Sequence, residues 1–158
     1  GSQEGRRRGG TLNAPGIVGF GKAFELAHER MDDNITVFTE LNRQLCNGLK
    51  ERLGNRVRFN SHLELGVPHI VNVTLLSQKG APLDGKVLQL NLNKEGISVS
   101  NGSACTSGAI EPSHVLTNLG LSDELAKSSI RISMGQHNDS EDITYLMEKI
   151  DEVMDRMR

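Results

Sequence analysis

The stretch Ile97-Ser-Val-Ser-Asn-Gly-Ser-Ala-Cys105-Thr-Ser-Gly-Ala-Ile-Glu-Pro-Ser-His114 carries one thiol in a run of Ser, Gly, Asn and Ala. It is entered from a short β-branched segment and left through a Pro-Ser helix start, a strand–loop–helix succession. A structural cysteine normally hides among large apolar side chains as a small hydrophobe. Cys105 has none beside it, and Gly and Ser favour a mobile, solvent-reachable loop. Because thiol reactivity follows thiolate fraction and access, the position suits sulfur chemistry.

Outward from this loop, strands alternate with helices. Upstream, Ile17, Phe24, Met31, Ile35, Phe38, Leu41, Leu45, Leu49 and Leu53 keep helical spacing, predicting one long helix or two, with Asp32-Asp33-Asn34 as a break or a second cap. Gly54-Asn55 ends it, since both tolerate a left-handed backbone. Strands are expected at 57–62 and 70–76, and 77–84 reads as a polar loop. Residues 85–94 read as a helix burying Val87, Leu88, Leu90 and Leu92, and 97–100 as a short strand. Beyond the loop, Ser113 opens a helix ended by Gly120, Ser122-Asp123-Glu124 opens another, and 130–134 is a strand. The last helix, capped by Ser140 or Asn138, presents Ile143, Leu146, Met147, Ile150, Val153, Met154 and Met157 as one stripe facing the sheet. The expected fold is α/β: a small sheet covered by helices on one side.

Bulk properties narrow the function classes. The 158 residues suffice for one ordinary domain, and 36% hydrophobic content is low but compatible with charged helices. A net charge of −2, 3% aromatics and no Trp give no electrostatic or stacking case for nucleic acid. No apolar run approaches the roughly 20 residues that span a bilayer, and the polar, basic start Gly1–Arg8 has no secretory core. Two cysteines, Cys46 on a helical pattern and Cys105 in a loop, make no disulfide framework, so a reducing, intracellular compartment is expected. His28, His62, His69, His114 and His137 show no metal-ligand spacing. No arginine follows Cys105 before Arg131, which sets aside phosphatase chemistry. His114 is read first as a helix-start residue.

Gly102-Ser-Ala-Cys105-Thr-Ser and Glu111-Pro-Ser-His-Val-Leu116 closely resemble the active-site loop of NifS/IscS-type cysteine desulfurases, members of the class V aminotransferase family. Glu4, Arg8, Gly10 and Thr11 match that family's (Gln/His)-Glu-x-x-x-Arg-x-Gly-Thr segment, and Ser128-Ser-Ile-Arg131-Ile-Ser133 matches its carboxylate-binding strand. From sequence alone Thr11 reads as a helix N-cap and Arg131 as either a buried-face or an edge-strand arginine. The resemblance implies instead that Thr11 hydrogen-bonds the cofactor phosphate across a dimer and that Arg131 holds the substrate α-carboxylate. A guanidinium fork suits a carboxylate. Where the family often has a second arginine, this chain has Gln136.

The resemblance implies the small C-terminal domain of a fold-type I pyridoxal-phosphate enzyme, preceded by a long connecting helix. Residues 1–33 would be the end of the large cofactor-binding domain and the start of that helix; residues 34–158 would be the small domain. Cys105 would take sulfur from L-cysteine as a persulfide, leaving L-alanine, and pass it to an iron–sulfur scaffold protein or another acceptor. It would also serve transiently as an iron–sulfur cluster ligand shared with that partner. The loop resembles the housekeeping or nitrogen-fixation group more than the group with a short, rigid cysteine loop. A homodimer in the cytoplasm, or an organelle matrix in a eukaryote, is expected. The family's cofactor lysine follows a Ser-x-His motif, which this chain lacks, so the 158 residues alone are expected to be inactive. Two alternatives stay open: a non-enzymatic sulfur acceptor or scaffold-docking module, and a pyridoxal-phosphate cysteine lyase.

Overall fold

A computed structural model describes residues 3–62, 65–101 and 111–157. The chain divides into two compact units, Gly1–Asn34 and Ile35–Arg158. In the first, a single turn, α1 (Gln3–Arg6), carries left-handed backbone at Glu4, Gly5 and Arg6. Helix α2 (Ala14–Glu29) starts at Asn13, whose Oδ1 accepts from the Gly16 N–H at 3.1 Å, and Pro15 sits in the first turn, where its missing N–H costs nothing. The cap is therefore Asn13, not Thr11. Ile17, Val18, Phe20 and Phe24 on α2 are exposed.

Helix α3 (Met31–Leu53) follows after a break at Arg30. Of the two readings of 32–34, the start of a second helix is the nearer: the three residues lie in the first turn of α3, where Asp32 and Asp33 face the positive end of the helix dipole. The acidic pair marks a helix start rather than an interruption. Gly54, at φ 54°, ends α3 in the left-handed conformation as expected.

In the second unit, β1 (Val57–Phe59), β2 (Ile70–Leu75), β3 (Ser100–Asn101) and β4 (Ser129–Ser133) form one antiparallel sheet in the order β1-β2-β4-β3. Strand β1 is shorter than expected because side chains take over its end: Asn72 donates its N–H to Ser61 Oγ at 2.9 Å. Strand β3 begins at Ser100 rather than Ile97. Ile97 closes the end of helix α4 (Gly85–Lys94) by donating to the Leu92 carbonyl, with Gly96 at φ 77°, and the Val99 carbonyl is taken by Gln89 Nε2 at 2.8 Å.

One sheet face is covered. Leu41, Leu45, Leu49 and Leu53 of α3, Leu88 and Leu92 of α4, and the stripe of helix α7 (Ser140–Arg156) meet Val71, Val73, Leu75, Ile130 and Ile132 in one core. Two details differ from expectation. Val87 and Leu90 of α4 are exposed, because only positions one turn apart reach the core. The cap of α7 is Asp139, whose Oδ1 accepts from the Glu141 and Asp142 N–H groups while Asp142 returns a bond to the Asp139 N–H. Short helices α5 (His114–Asn118) and α6 (Asp123–Lys127) share a small cluster of Leu116, Leu121 and Ala126. No helix among the described residues is long and apolar enough to cross a membrane.

Candidate functional site

The face of the sheet opposite the core is polar, and strand alternation puts it there. In β4, Ile130 and Ile132 are buried in the core, so Ser129, Arg131 and Ser133 point the other way. In β2, Asn72 and Thr74 alternate with Val71, Val73 and Leu75. The register sets Arg131 opposite Asn72 on one side and Ser100 on the other, and residues directly opposite share a face. Arg131 is therefore exposed on a central strand, which corrects the edge-strand reading, although Thr74 and Ser129 on the same face are buried. Its Nη2 donates to Ser100 Oγ at 3.4 Å, and it makes no ion pair with a described carboxylate. With no acidic partner among the described residues, this exposed guanidinium has the chemistry to receive an anion.

Toward α6 the same face is locked by hydrogen bonds. Thr74 and Ser129, both fully buried, join their hydroxyls at 2.8 Å, and the Leu125 carbonyl accepts from Ser129 Oγ at 2.8 Å. Asn60 Nδ2 reaches Asn72 Oδ1 at 2.8 Å, Thr74 Oγ1 at 2.9 Å and Ser129 Oγ at 3.2 Å. Asn60 Oδ1 is buried without a partner among the described residues. The sequence reading missed this polar face, although Asn72 and Thr74 alternating with valines were its visible sign.

Cys105 lies outside the described residues. Asn101 of β3 precedes its segment, and its Nδ2 donates to the Lys127 carbonyl at 3.3 Å on the covered side of the sheet. His114 is the first residue of α5. Gln136 Nε2 lies 3.2 Å from His137 Nε2.

Thr11 belongs to the other unit. It is exposed and makes no hydrogen bond to a described residue. Gly10 before it has φ 85°, and Arg8 Nη1 occupies the Gly9 and Gly10 carbonyls at 3.2 Å each. An unpartnered hydroxyl next to neutralised carbonyls is a donor set that fits a phosphate.

Cys46 offers the contrast. It is buried in α3, its Sγ–H donates to Asn42 Oδ1 at 3.3 Å, and Asn42 Nδ2 is itself tied to the Pro68 carbonyl at 2.7 Å. Burial pushes its thiol pKa up, with Lys50 pulling weakly the other way. It is a packing residue, held as an unreactive thiol.

A family model described as aminotransferase class-V matches residues 2–146. The cysteine desulfurase IscS of Methanosarcina thermophila is 39% identical over 158 residues, covering 100% of this chain and 37% of the relative. The cysteine desulfurase IscS of Dictyoglomus turgidum is 37% identical, with 100% and 39% covered. The X-ray structure of a NifS-like protein from Rickettsia africae superposes with a TM-score of 0.81 at 32% identity, over 98% of this chain and 38% of that one. The chain thus spans less than two fifths of the length of the relatives it matches.

Proposed function

The chain belongs to the class-V aminotransferase family, and from that membership we propose that the full-length protein is a pyridoxal-phosphate-dependent cysteine desulfurase. It takes sulfur from L-cysteine, leaves L-alanine, and hands the sulfur to an iron–sulfur scaffold protein or a similar acceptor. One observation carries the reading: Arg131 stands exposed on the polar face of the sheet, with no acidic partner among the described residues, beside the strand that precedes the Cys105 segment. Residues 1–33 then supply the end of the large domain and the start of the connecting helix, and residues 34–158 the small domain.

Each residue has one task. Arg131 receives the substrate carboxylate in its fork, fixing which end of the amino acid faces Cys105. Thr11 donates its hydroxyl to the cofactor phosphate across a homodimer. The Cys105 thiolate attacks the substrate sulfur: an S–S bond forms, the substrate C–S bond breaks, and its electron pair stays with the carbon skeleton, which is protonated to alanine. Pyridoxal phosphate, when bound, supplies the electron sink that makes this bond labile; its lysine lies outside these residues. The persulfide then leaves for an acceptor, with Cys105 serving transiently as an iron–sulfur ligand at that contact. The proposed setting is the cytoplasm, or an organelle matrix in a eukaryote.

The test is mass spectrometry and amino-acid analysis of the full-length protein, loaded with pyridoxal phosphate and given L-cysteine. Alanine in step with a persulfide on Cys105, both lost in Cys105→Ser, is the expected result. Pyruvate with free sulfide would make it a lyase. A thiol that accepts sulfur without a cofactor absorbance band would make it a carrier.

A further inference from the structure

We propose that Ser100 is a positioning residue for Arg131, aiming the guanidinium at the substrate carboxylate; this rests on the desulfurase reading above. Two side chains flank Arg131 across the sheet, Asn72 and Ser100. The Oδ1 of Asn72 is already engaged by Asn60 Nδ2 at 2.8 Å. Ser100 Oγ alone among the described residues accepts from the guanidinium, at 3.4 Å.

That hydroxyl is a fixed reference because the backbone on either side of Ser100 is tied down. The Val99 carbonyl before it accepts from Gln89 of α4, and the Asn101 side chain after it donates to the Lys127 carbonyl at the end of α6. A hydroxyl held this way limits the rotation of a long, otherwise free arginine. The ordering entropy of the side chain is then met before substrate arrives. The guanidinium has five N–H donors, so one bond to Ser100 leaves an edge for bidentate capture. Ser100 also stands two residues before the segment that carries Cys105.

Ser100→Thr and Ser100→Val separate the hydroxyl from everything else, because both are β-branched, have the same shape and suit a strand. In the full-length protein loaded with pyridoxal phosphate, alanine formation from L-cysteine gives KM and kcat for each. Ser100→Val should raise KM by about two- to tenfold, the range for an ordinary hydrogen bond, since this one is long and acts only by orienting Arg131, with kcat changed far less. Ser100→Thr should keep the wild-type KM. Equal KM values for the Thr and Val variants would overturn the inference while leaving the desulfurase reading intact. A wild-type protein that forms no alanine would sink that reading, and this inference with it.

Discussion

Gly85→Ala should unsettle the fold at the point where the sheet hands over to the Cys105 segment. A Cβ built on Gly85 would collide with Asn101 Nδ2 and stand 2.5 Å from the Lys127 carbonyl oxygen and 3.2 Å from the Ser128 carbonyl carbon. Two of these three are backbone atoms, and a backbone cannot rotate aside as a side chain can. Forcing an extra carbon into such a contact costs about 1–3 kcal/mol. The Asn101 bond to Lys127 is lost with it, for about 0.5–1.5 kcal/mol. Against this, alanine gains up to about 1 kcal/mol over glycine in a helix, and less in the first turn, where Gly85 lies. The net loss is about 1–4 kcal/mol. Gly48→Ala is the control. Its Cβ would meet only the sulfur and methyl end of Met147, inside helix α3, so a flexible side chain yields and the full helix gain applies. Urea unfolding of the two purified variants, compared at the same slope, reads the difference. A Gly85→Ala midpoint equal to the wild type, or a Gly48→Ala variant that loses more, would show that the close approach of α4 to Lys127 has been misjudged.

Brief alkylation followed by peptide mapping should label Cys105 well before Cys46, since burial keeps the Cys46 thiol protonated and out of reach; equal labelling would refute the assignment. Arg131→Lys in the full-length protein should weaken L-cysteine binding by about ten- to a hundredfold, because a point charge does not reproduce the fork. Transfer from a preloaded persulfide should be unaffected, and an unchanged KM would reduce Arg131 to a strand residue. Glu95 is held below the usual carboxylate range, chiefly by the hydrogen bond from Arg156 at 2.7 Å. A lowered folded pKa gives stability that is present above the unfolded value of about 4.3 and lost as pH falls through the folded one. The stability advantage of the wild type over Glu95→Gln should therefore be present at neutral pH and fade in acid. A pH-independent difference would contradict it.

What the sequence disclosed was whatever periodicity and local chemistry encode. The α7 stripe, the bounds of α4 and the left-handed ends at Gly54 and Gly120 depend on neighbours in the chain. What it withheld depends on pairing. Nothing local says that β4 lies between β2 and β3, yet that order turns Arg131 from a plausible edge residue into the centre of an open face. Likewise 97–100 reads as a strand until Gln89, eleven residues before Ser100, takes the Val99 carbonyl. The caps slipped by one or two residues because Asn138, Asp139 and Ser140 all have capping chemistry, and only the Asp139–Asp142 exchange decides among them. Of the candidate residues, Cys105 stood out by the composition of its loop, and Arg131 and Thr11 by motif resemblance, whereas Ser100 became visible only once its hydroxyl met the guanidinium across two strands.

The sheet order has one more consequence, for what the protein does in a crowded solution. Its inner strands have six and five residues, but the outer ones, β1 and β3, have only three and two. Exposed strand edges invite other chains to add on, and a run of two or three residues is too short to template such growth. Beyond Ser100 the outer side of β4 is flanked by a segment whose Val99 carbonyl is already bonded to Gln89. A sheet whose outer strands are this short keeps its margins from recruiting copies of itself.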